Sequence, residues 1–363
     1  MPDSAIVYFV DVAQGTSQVV LFPDSSIVIV DCGESSDALI KLLESLEFDR
    51  IRALVLSHWH SDHVGGAIAV LKAYVDLIEY VFFAQDQAAT DVLADSVFQY
   101  IHRVSKNQTK FSMEVLQYRG SVDGKLLPLG NNADDAFLMV LYPDGVESLK
   151  SQKQQDQNQG SGVLMLCCGD RRILFPADAG KKAFKAIHKR LGNDQPMRFD
   201  VIAAPHHSGK LCNGSDDFTG YKDCFDWLYT EIIKADHVVV SVGTGSKKKG
   251  NKHDHPRPAH LKAAVKNQAR IICTQITNQC HPDPYSLGPS VLDNCSPHSS
   301  CCLESGDKGI GCAGTVQVNV SPDTAKVLRI DEHQKAIDEK LDPNCALCRK
   351  LPTEIAAEAA AQA

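Results

Sequence analysis

The sequence predicts an α/β fold, a four-layer αββα sandwich in which two β-sheets pack face to face between outer helices. Three observations lead there. Short β-rich runs open the chain as a meander, strand and helix patterns then alternate, and strands return near the end. That order gives each of two sheets one helical face and one face for its partner. At 44% hydrophobic and 23% charged residues over 363, the composition is that of a globular protein rather than a disordered or fibrous one.

The opening strands are expected at Ile6–Val12, Gln18–Phe22 and Ile27–Val30, separated by Gly/Asp/Ser turns. A helix over Asp37–Leu46 precedes a buried strand, Ala53–Leu56. Beyond a His-rich loop, Ala67–Leu77 reads as helix, Tyr80–Phe83 as strand and Asp91–Val104 as helix, from apolar residues at helical spacing. Strands recur at Ala136–Tyr142, Val163–Cys168 and Ile173–Phe175. The helix Lys181–Leu191 leads to strand Val201–Ala204, Phe225–Ile233 to Val238–Val242, and Ala259–Asn267 to Arg270–Thr274. The last strands are Thr315–Val320 and Lys326–Ile330. Polar Ser151–Gly160 is expected to be a solvated loop. Residues 1–330 form the main domain with a Cys-, Pro- and Gly-rich insertion at 277–313, and 331–363 form a helical, Ala-rich tail.

No apolar run approaches the roughly 20 residues that span a bilayer, and the start MPDSAIVYFV lacks a basic n-region and an apolar h-region. A cytoplasmic location without membrane partners is the expectation. Eight of the 13 cysteines follow residue 272, and reduced thiols or a metal site are expected rather than a disulfide framework.

The chemistry concentrates in SHWHSDHVGG, residues 57–66. His58 and His60 stand two apart after a strand, so an extended backbone points both imidazoles the same way. Asp62 and His63 follow where the chain turns toward a helix, and Gly65 and Gly66 permit close backbone approach. Three imidazoles and a carboxylate in six residues provide N/O ligands for two first-row metal ions.

At these residues the chain resembles the metallo-β-lactamase fold superfamily, whose signature is H-x-H-x-D-H. Three further motifs match in order: Asp31 in IVIVDCG, Asp178 in ILFPADAG, and His206 or His207 in APHHSG. The finer resemblance is to the soluble domain of competence-type DNA-uptake proteins, carried by DVAQGT (Asp11–Thr16), PHHSG (Pro205–Gly209) and SVGTGSKKKGNKHDHPRP (Ser241–Pro258). Ala13, Thr16 and the Ser-Gly order after the histidine pair depart from that pattern.

The resemblance implies two divalent cations, zinc first and manganese as the alternative. It implies His58, His60, Asp62, His63, Asp178 and His207 as their ligands, and catalytic roles for Asp62, His206 and His255. His206 is expected to contact substrate, and Asp31 to orient a ligating imidazole. A further histidine that many members place between the first motif and the Asp178 position is missing. His102, the sole histidine between Val64 and Asp178, reads as a helix residue. Asp11 and Gln14 read as structural, His253 and His260 as exposed.

His63 and Asp178 resemble the phosphodiesterase, nuclease and thioesterase branches. The expected function is therefore a phosphodiesterase, foremost a DNA nuclease, in which a metal-bridging hydroxide attacks phosphorus. Charge supports it. The net charge is −8, but residues 171–210 hold nine Lys/Arg against three Asp/Glu, and residues 243–270, including Lys247–Lys249, hold eight against one. A basic rim suits a polyanion. The alternatives are a small-molecule hydrolase (cyclic nucleotide, phosphoester, lactone or thioester) and a non-catalytic module of a multi-protein system. Cys280, Cys295, Cys301, Cys302 and Cys312, with the pair Cys345 and Cys348, leave open a structural zinc site, free thiols or disulfides.

Overall fold

The computed structural model describes residues 4–85, 92–107, 111–118, 125–127, 136–154, 157–191, 195–211, 221–244, 255–288, 292, 296–303, 309–341 and 346–349. Strands β1 (Ala5–Phe9), β2 (Gln18–Leu21) and β3 (Ser26–Val30) form the opening meander. Helix α1 (Asp37–Ser45) crosses to β4 (Arg50–Leu56), and α2 (Ser61–Val64) with α3 (Ala67–Tyr74) leads to β5 (Ile78–Ala84). Helix α4 (Val92–Asn107) then leads to β6 (Ser112–Leu116), and β3 to β6 run parallel. Next come β7 (Lys125–Leu127), β8 (Ala136–Tyr142), α5 (Gly145–Gln154), β9 (Val163–Cys168) and β10 (Arg171–Phe175). Three parallel crossovers follow: α6 (Lys181–Arg190) to β11 (Met197–Ala203), α7 (Tyr221–Trp227) to β12 (Ile233–Val240), and α8 (Pro258–Lys266) to β13 (Arg270–Cys273). Strands β14 (Val316–Val320) and β15 (Ala325–Val327) return to the edge beside β1, and α9 (Ile330–Lys340) comes after them.

The sheets have the orders β15-β14-β1-β2-β3-β4-β5-β6 and β13-β12-β11-β10-β9-β8-β7. The continuous apolar run of β3 follows from burial on both faces. Val28 and Val30 enter the layer between the sheets with Phe9, Val55, Leu164, Phe175 and Val201. Ile27 and Ile29 face outward beneath Leu39 and Leu42 of α1 and Val70 of α3. On the far side, Phe184 and Ile187 of α6, Phe225 of α7 and Leu261 of α8 cover the second sheet. The αββα arrangement is therefore the observed one.

Several expectations need correction. Ser151–Gly160 is no solvated loop: its start completes α5, and Gln157–Gly160 form a 3-10 turn with Gln159 and Gly160 buried. The Tyr142 hydroxyl donates to the Gln159 carbonyl (2.7 Å), so the buried phenol finds its acceptor in a segment that composition alone marks as polar. His260 is fully buried rather than exposed. It stacks on Phe225 (4.7 Å between ring centres) and its Nε2 meets the Tyr229 hydroxyl at 2.9 Å. Burial pushes its imidazole down to about 3. Strands β6 and β7 were not among the expected strands: β7 has three residues, and the polar–apolar alternation of β6 covers only four. The expected strand over Lys326–Ile330 stops at Val327, and Ile330 already begins α9.

Buried Ile337 of α9, with Leu341 and Ala346 beyond it, joins the apolar layer of α8 and β13. Cys224 is disulfide-bonded where reduced thiols were expected, whereas nine other described cysteines form no disulfide. Lys247–Lys249, His253, Cys295, Cys345 and residues 350–363 lie outside the described residues. No described helix is long and apolar enough to cross a membrane.

Phe175 packs at a tilt against Phe9 (6.0 Å between ring centres) in the layer between the sheets. Phe175→Ala should cost about 3–5 kcal/mol in urea unfolding. A loss below about 1 kcal/mol would mean that this layer does not hold the sheets together.

Candidate metal centre

All the site segments leave the carboxyl ends of strands, where open parallel sheets gather their functional loops. Asp31 follows β3, Ser57–His60 follow β4, Asp178 follows β10, His206 and His207 follow β11, and Ser241 follows β12. Packing the sheets face to face brings the two sets of loops together. Within each set, a glycine lets neighbouring loops close up. A Cβ on Gly66 would lie 2.5 Å from the Cys32 carbonyl, and one on Gly209 would collide with the His255 ring.

Two groups of three donors result: His58, His60 and Asp178, and Asp62, His63 and His207, with the donor atoms of each group within 4.8 Å of one another. Asp178 stands between them. Its Oδ2 lies 3.6 Å from His58 Nε2 and 3.5 Å from His206 Nε2. Its Oδ1 lies 3.1 Å from His63 Nε2 and 3.7 Å from His207 Nε2. His207 Nε2 also lies 3.3 Å from Asp62 Oδ2, and His58 Nε2 lies 3.1 Å from His60 Nδ1.

The remaining ring nitrogens decide the tautomers. His63 Nδ1–H donates to Asp31 Oδ2 (2.7 Å), and His58 Nδ1–H to Ser57 Oγ (3.1 Å). Ser57 in turn donates its hydroxyl and its backbone N–H to Asp31, at 2.7 and 2.8 Å. His207 Nδ1–H donates to the Ser241 carbonyl (3.1 Å) and His206 Nδ1–H to the Lys210 carbonyl (2.6 Å). Each of these rings then turns its Nε2 toward a carboxylate oxygen. Lone pairs facing carboxylates repel unless a cation stands between them, and outer hydrogen bonds of this kind fix metal-ligating imidazoles. His63 Nε2, Asp178 Oδ1 and His207 Nε2 are buried without a hydrogen bond of their own. The donor set is nitrogen and oxygen only, which suits borderline or hard divalent cations. The residues fit two such ions.

Electrostatics agree. Burial and the nearby His63 lower the His58 imidazole, and burial with His58 pushes His60 down to about 4, so both offer free lone pairs. Burial alone would also lower His63 and His207. For His63 the carboxylates of Asp178 and Asp31 outweigh it and raise the ring well above its usual value. For His207, Asp62 and Asp178 do the same. Burial would raise Asp178, but His206, His63 and His58 hold its carboxyl well below the usual range. A carboxylate this strongly tied to imidazoles stays ionised.

The six expected ligands thus come together. His206 lies against Asp178 on the His58 side, and His255 is buried beside both neighbouring rings, 5.6 Å from His206 and 6.2 Å from His207. His60, Asp62 and His206 are only half-buried, which marks the side open to substrate. His102 is an exposed helix residue, as its pattern suggested. Asp11 does not reach the centre. It accepts from Gln275 Nε2 (2.9 Å) and the Ala13 N–H (3.1 Å), and burial pushes its carboxyl up to about 6. Gln14 is buried without a hydrogen bond to its side chain.

Three contributors escaped the sequence reading. Ser57 precedes His58 directly, and a hydroxyl inside the motif was the available signal. Thr16 Oγ1 lies 3.3 Å from His207 Nδ1. Asn158 Nδ2 lies 3.5 Å from His206 Nε2, and only the tertiary fold brings that turn over the site.

Residues 12–81 match the family model described as the Metallo-beta-lactamase superfamily. An atrochrysone carboxyl ACP thioesterase from Pseudocercospora fijiensis (strain CIRAD86) is 26% identical over 85 residues, which is 23% of this chain and 26% of that protein. The match thus spans about a quarter of that relative's length. Among solved structures, the metallo-beta-lactamase fold protein YhfI from Bacillus subtilis aligns with a TM-score of 0.44 at 13% identity, covering 74% of this chain and 96% of its own. Igni18, a metallo hydrolase from Ignicoccus hospitalis, aligns with a TM-score of 0.40 at 11% identity over 73% of this chain and 94% of its own. Human tRNase Z, short form, aligns at 0.33 and 13% identity over 65% and 91%. The family-model match lies within residues 12–81, and the comparisons do not reach the finer competence-type resemblance.

Asp31→Asn should weaken divalent-metal affinity about 10–100-fold, read by competition with a chromogenic chelator. Unchanged affinity would show that Asp31 serves the fold alone.

Proposed function

We propose that this member of the metallo-beta-lactamase superfamily is a two-metal hydrolase of phosphodiester bonds, with a nucleic-acid backbone, DNA first, as its substrate. The observation that supports it is the second donor group. Asp62, His63 and His207 converge as closely as His58, His60 and Asp178 do, and Asp178 faces both sets. Two divalent cations held there, zinc first and manganese as the alternative, supply an acidified water and positive charge on both sides of an in-line displacement.

The chain's own groups do the rest. Asp62 is held by His207 and by its place in α2, with its carboxylate lowered by His207 and His63 against the cost of burial. It is placed to take the proton lost from the attacking water. His206, half-exposed and fixed by the Lys210 carbonyl, meets the substrate at the open side with Asn158 beside it. His255, outside both donor groups and buried against His206, is placed to donate to an oxygen that gains charge. Two groups of three donors favour an enzyme over a non-catalytic module. The cysteines without a disulfide, which predominate among those described, support a reducing, cytoplasmic setting.

One finding favours a second reading, a hydrolase of small phosphoesters or thioesters on the same centre. The cations of residues 171–210 are partly consumed by ion pairs: Arg171 with Asp200 (2.9 Å), Arg190 with Asp144 and Glu147, and Arg198 with Asp236 (3.4 Å). The field offered to a long polyanion is weaker than the linear count suggested.

The test is a panel of single- and double-stranded DNA, RNA, a cyclic dinucleotide, a chromogenic phosphodiester, a lactone and a thioester, each with added zinc or manganese. Cleavage of polymer and chromogenic phosphodiester, lost by more than about 10²-fold in Asp178→Ala, is the expected result. Turnover of thioester or lactone alone would overturn the phosphodiester reading. His255→Ala should lower kcat about 10²-fold with both metal equivalents retained. Loss of metal in that variant would make His255 a ligand instead.

A further inference from the structure

A cavity of about 270 Å³ lies where β14 and β15, at one edge of the first sheet, meet β13 at the edge of the second. None of the six candidate metal ligands lines it. Its apolar wall is made by Ile272 of β13, Val316 of β14, Val327 of β15 and Ile330 at the start of α9. Residues 296–298 form another side. That segment is fixed from two directions: the Thr315 N–H donates to Ser299 Oγ (2.7 Å), and His298 Nε2 lies 3.4 Å from Ser45 Oγ of α1.

Polar groups converge on this cavity from the start of α9. Arg329, the residue before the helix, lines it. Its exposed guanidinium forms no ion pair with a described carboxylate. Its backbone holds a left-handed φ of 58°, which glycine adopts freely and a residue with a Cβ does not. No side chain caps the amino end of α9 there, so its first-turn N–H groups stay available to an anion. His333, one turn into the helix, is only 5% exposed and lines the same cavity. Its Nε2 lies 3.8 Å from Cys312 Sγ, and its Nδ1 has no hydrogen bond. His298 Nδ1 has none either.

A helix end by itself is met by water, and a small apolar hollow needs no occupant. Here an arginine stands where glycine would relax the backbone, beside a buried imidazole with an unused nitrogen. We propose that the cavity binds a small organic phosphate, a phosphate monoester with a compact apolar body. The phosphate lies at the amino end of α9 against the Arg329 guanidinium, whose planar fork and the helix N–H groups suit its oxygens. The body rests on the wall formed by Ile272, Val316, Val327 and Ile330. At about 270 Å³ the space falls just below that of drug-sized sites, which limits the body to about one ring. An anion there selects the His333 tautomer with its proton on Nδ1, so that this ring donates as well.

The surrounding charges permit this. Asp331, in the first turn of α9, is 88% exposed and lies 3.7 Å from Arg270. Glu332 is exposed. Arg349 is already held by Asp338, at 2.7 Å from its Nε to Oδ1. Burial, with Arg349 nearby, pushes the His333 imidazole down to about 4, so the ring contributes a hydrogen bond rather than a charge. Burial and Lys41 of α1 lower the His298 imidazole in the same way. Arg329 therefore supplies the positive charge that lines the cavity.

Calorimetric titration with phenyl phosphate tests it. The full chain carries His58→Ala and Asp178→Ala, with a chelator present, so that the metal centre cannot hold the phosphate. One site per chain with a Kd below about 1 mM is the expected result. Arg329→Gly relaxes the backbone, so thermal unfolding should stay where it is or rise, while phenyl phosphate binds more than about tenfold more weakly. Should the double variant not fold, metal-stripped wild type and its own Arg329→Gly variant give the same comparison. Three outcomes would overturn the proposal: no saturable binding up to about 10 mM, unchanged affinity in Arg329→Gly, or inorganic phosphate bound as tightly as the phenyl ester, which would make this an adventitious ion only.

Discussion

The carboxylate of Asp178 faces the imidazoles of His58, His63, His206 and His207 in a space almost closed to water. Burying an ionised carboxylate costs several kcal/mol even after relaxation, and the surrounding groups must offset that cost. The rings do so only while something positive, a proton or a metal ion, lies between nitrogen and oxygen. Asp178 therefore couples the halves of the molecule: it follows a strand of the second sheet, while His58 and His63 follow a strand of the first.

The outer hydrogen bonds of the rings follow from the same constraint. Asp31 serves two of them, His63 directly and His58 through the Ser57 hydroxyl. A change at Asp31 therefore affects both donor groups, although its carboxylate bonds only to Ser57 and His63. Asp31 itself sits at a positive φ of 59°, a conformation uncommon for a residue with a side chain. That local strain is tolerated where three hydrogen bonds to the carboxylate, from Ser57 and His63, hold the residue in place. Thr16 beside the first sheet and Ser241 after β12 of the second do similar work for His207, so these rings are oriented from outside the centre before any cation arrives.

Much of this was legible in the chain because it is local. His58, His60, Asp62 and His63 lie within six residues, so strand geometry and one helical turn suffice to converge them. Apolar runs such as SIVIV told of burial on both faces, and the alternation of strands and helices told of two covered sheets. The failures share a cause. His260 and the polar turn at residues 157–160 were read from composition, but an imidazole between Phe225 and Tyr229, or a carbonyl beneath the Tyr142 hydroxyl, is satisfied by partners distant in sequence. The basic count of residues 171–210 has the same limit, since linear charge does not show that Arg171 and Arg190 are already paired.

The sequence by itself determined which donor atoms exist, how the first four are spaced, and that two sheets would be covered by helices, because these depend on residues a few positions apart. Only the tertiary structure decided that Asp178 stands between two donor groups and that His206 and His207 turn to different oxygens of it. The first of these relations joins His58 to Asp178, 120 residues apart in the chain. Both are set by strand order and sheet packing, which bring distant loop ends to one edge, and no local pattern of residues encodes that distance.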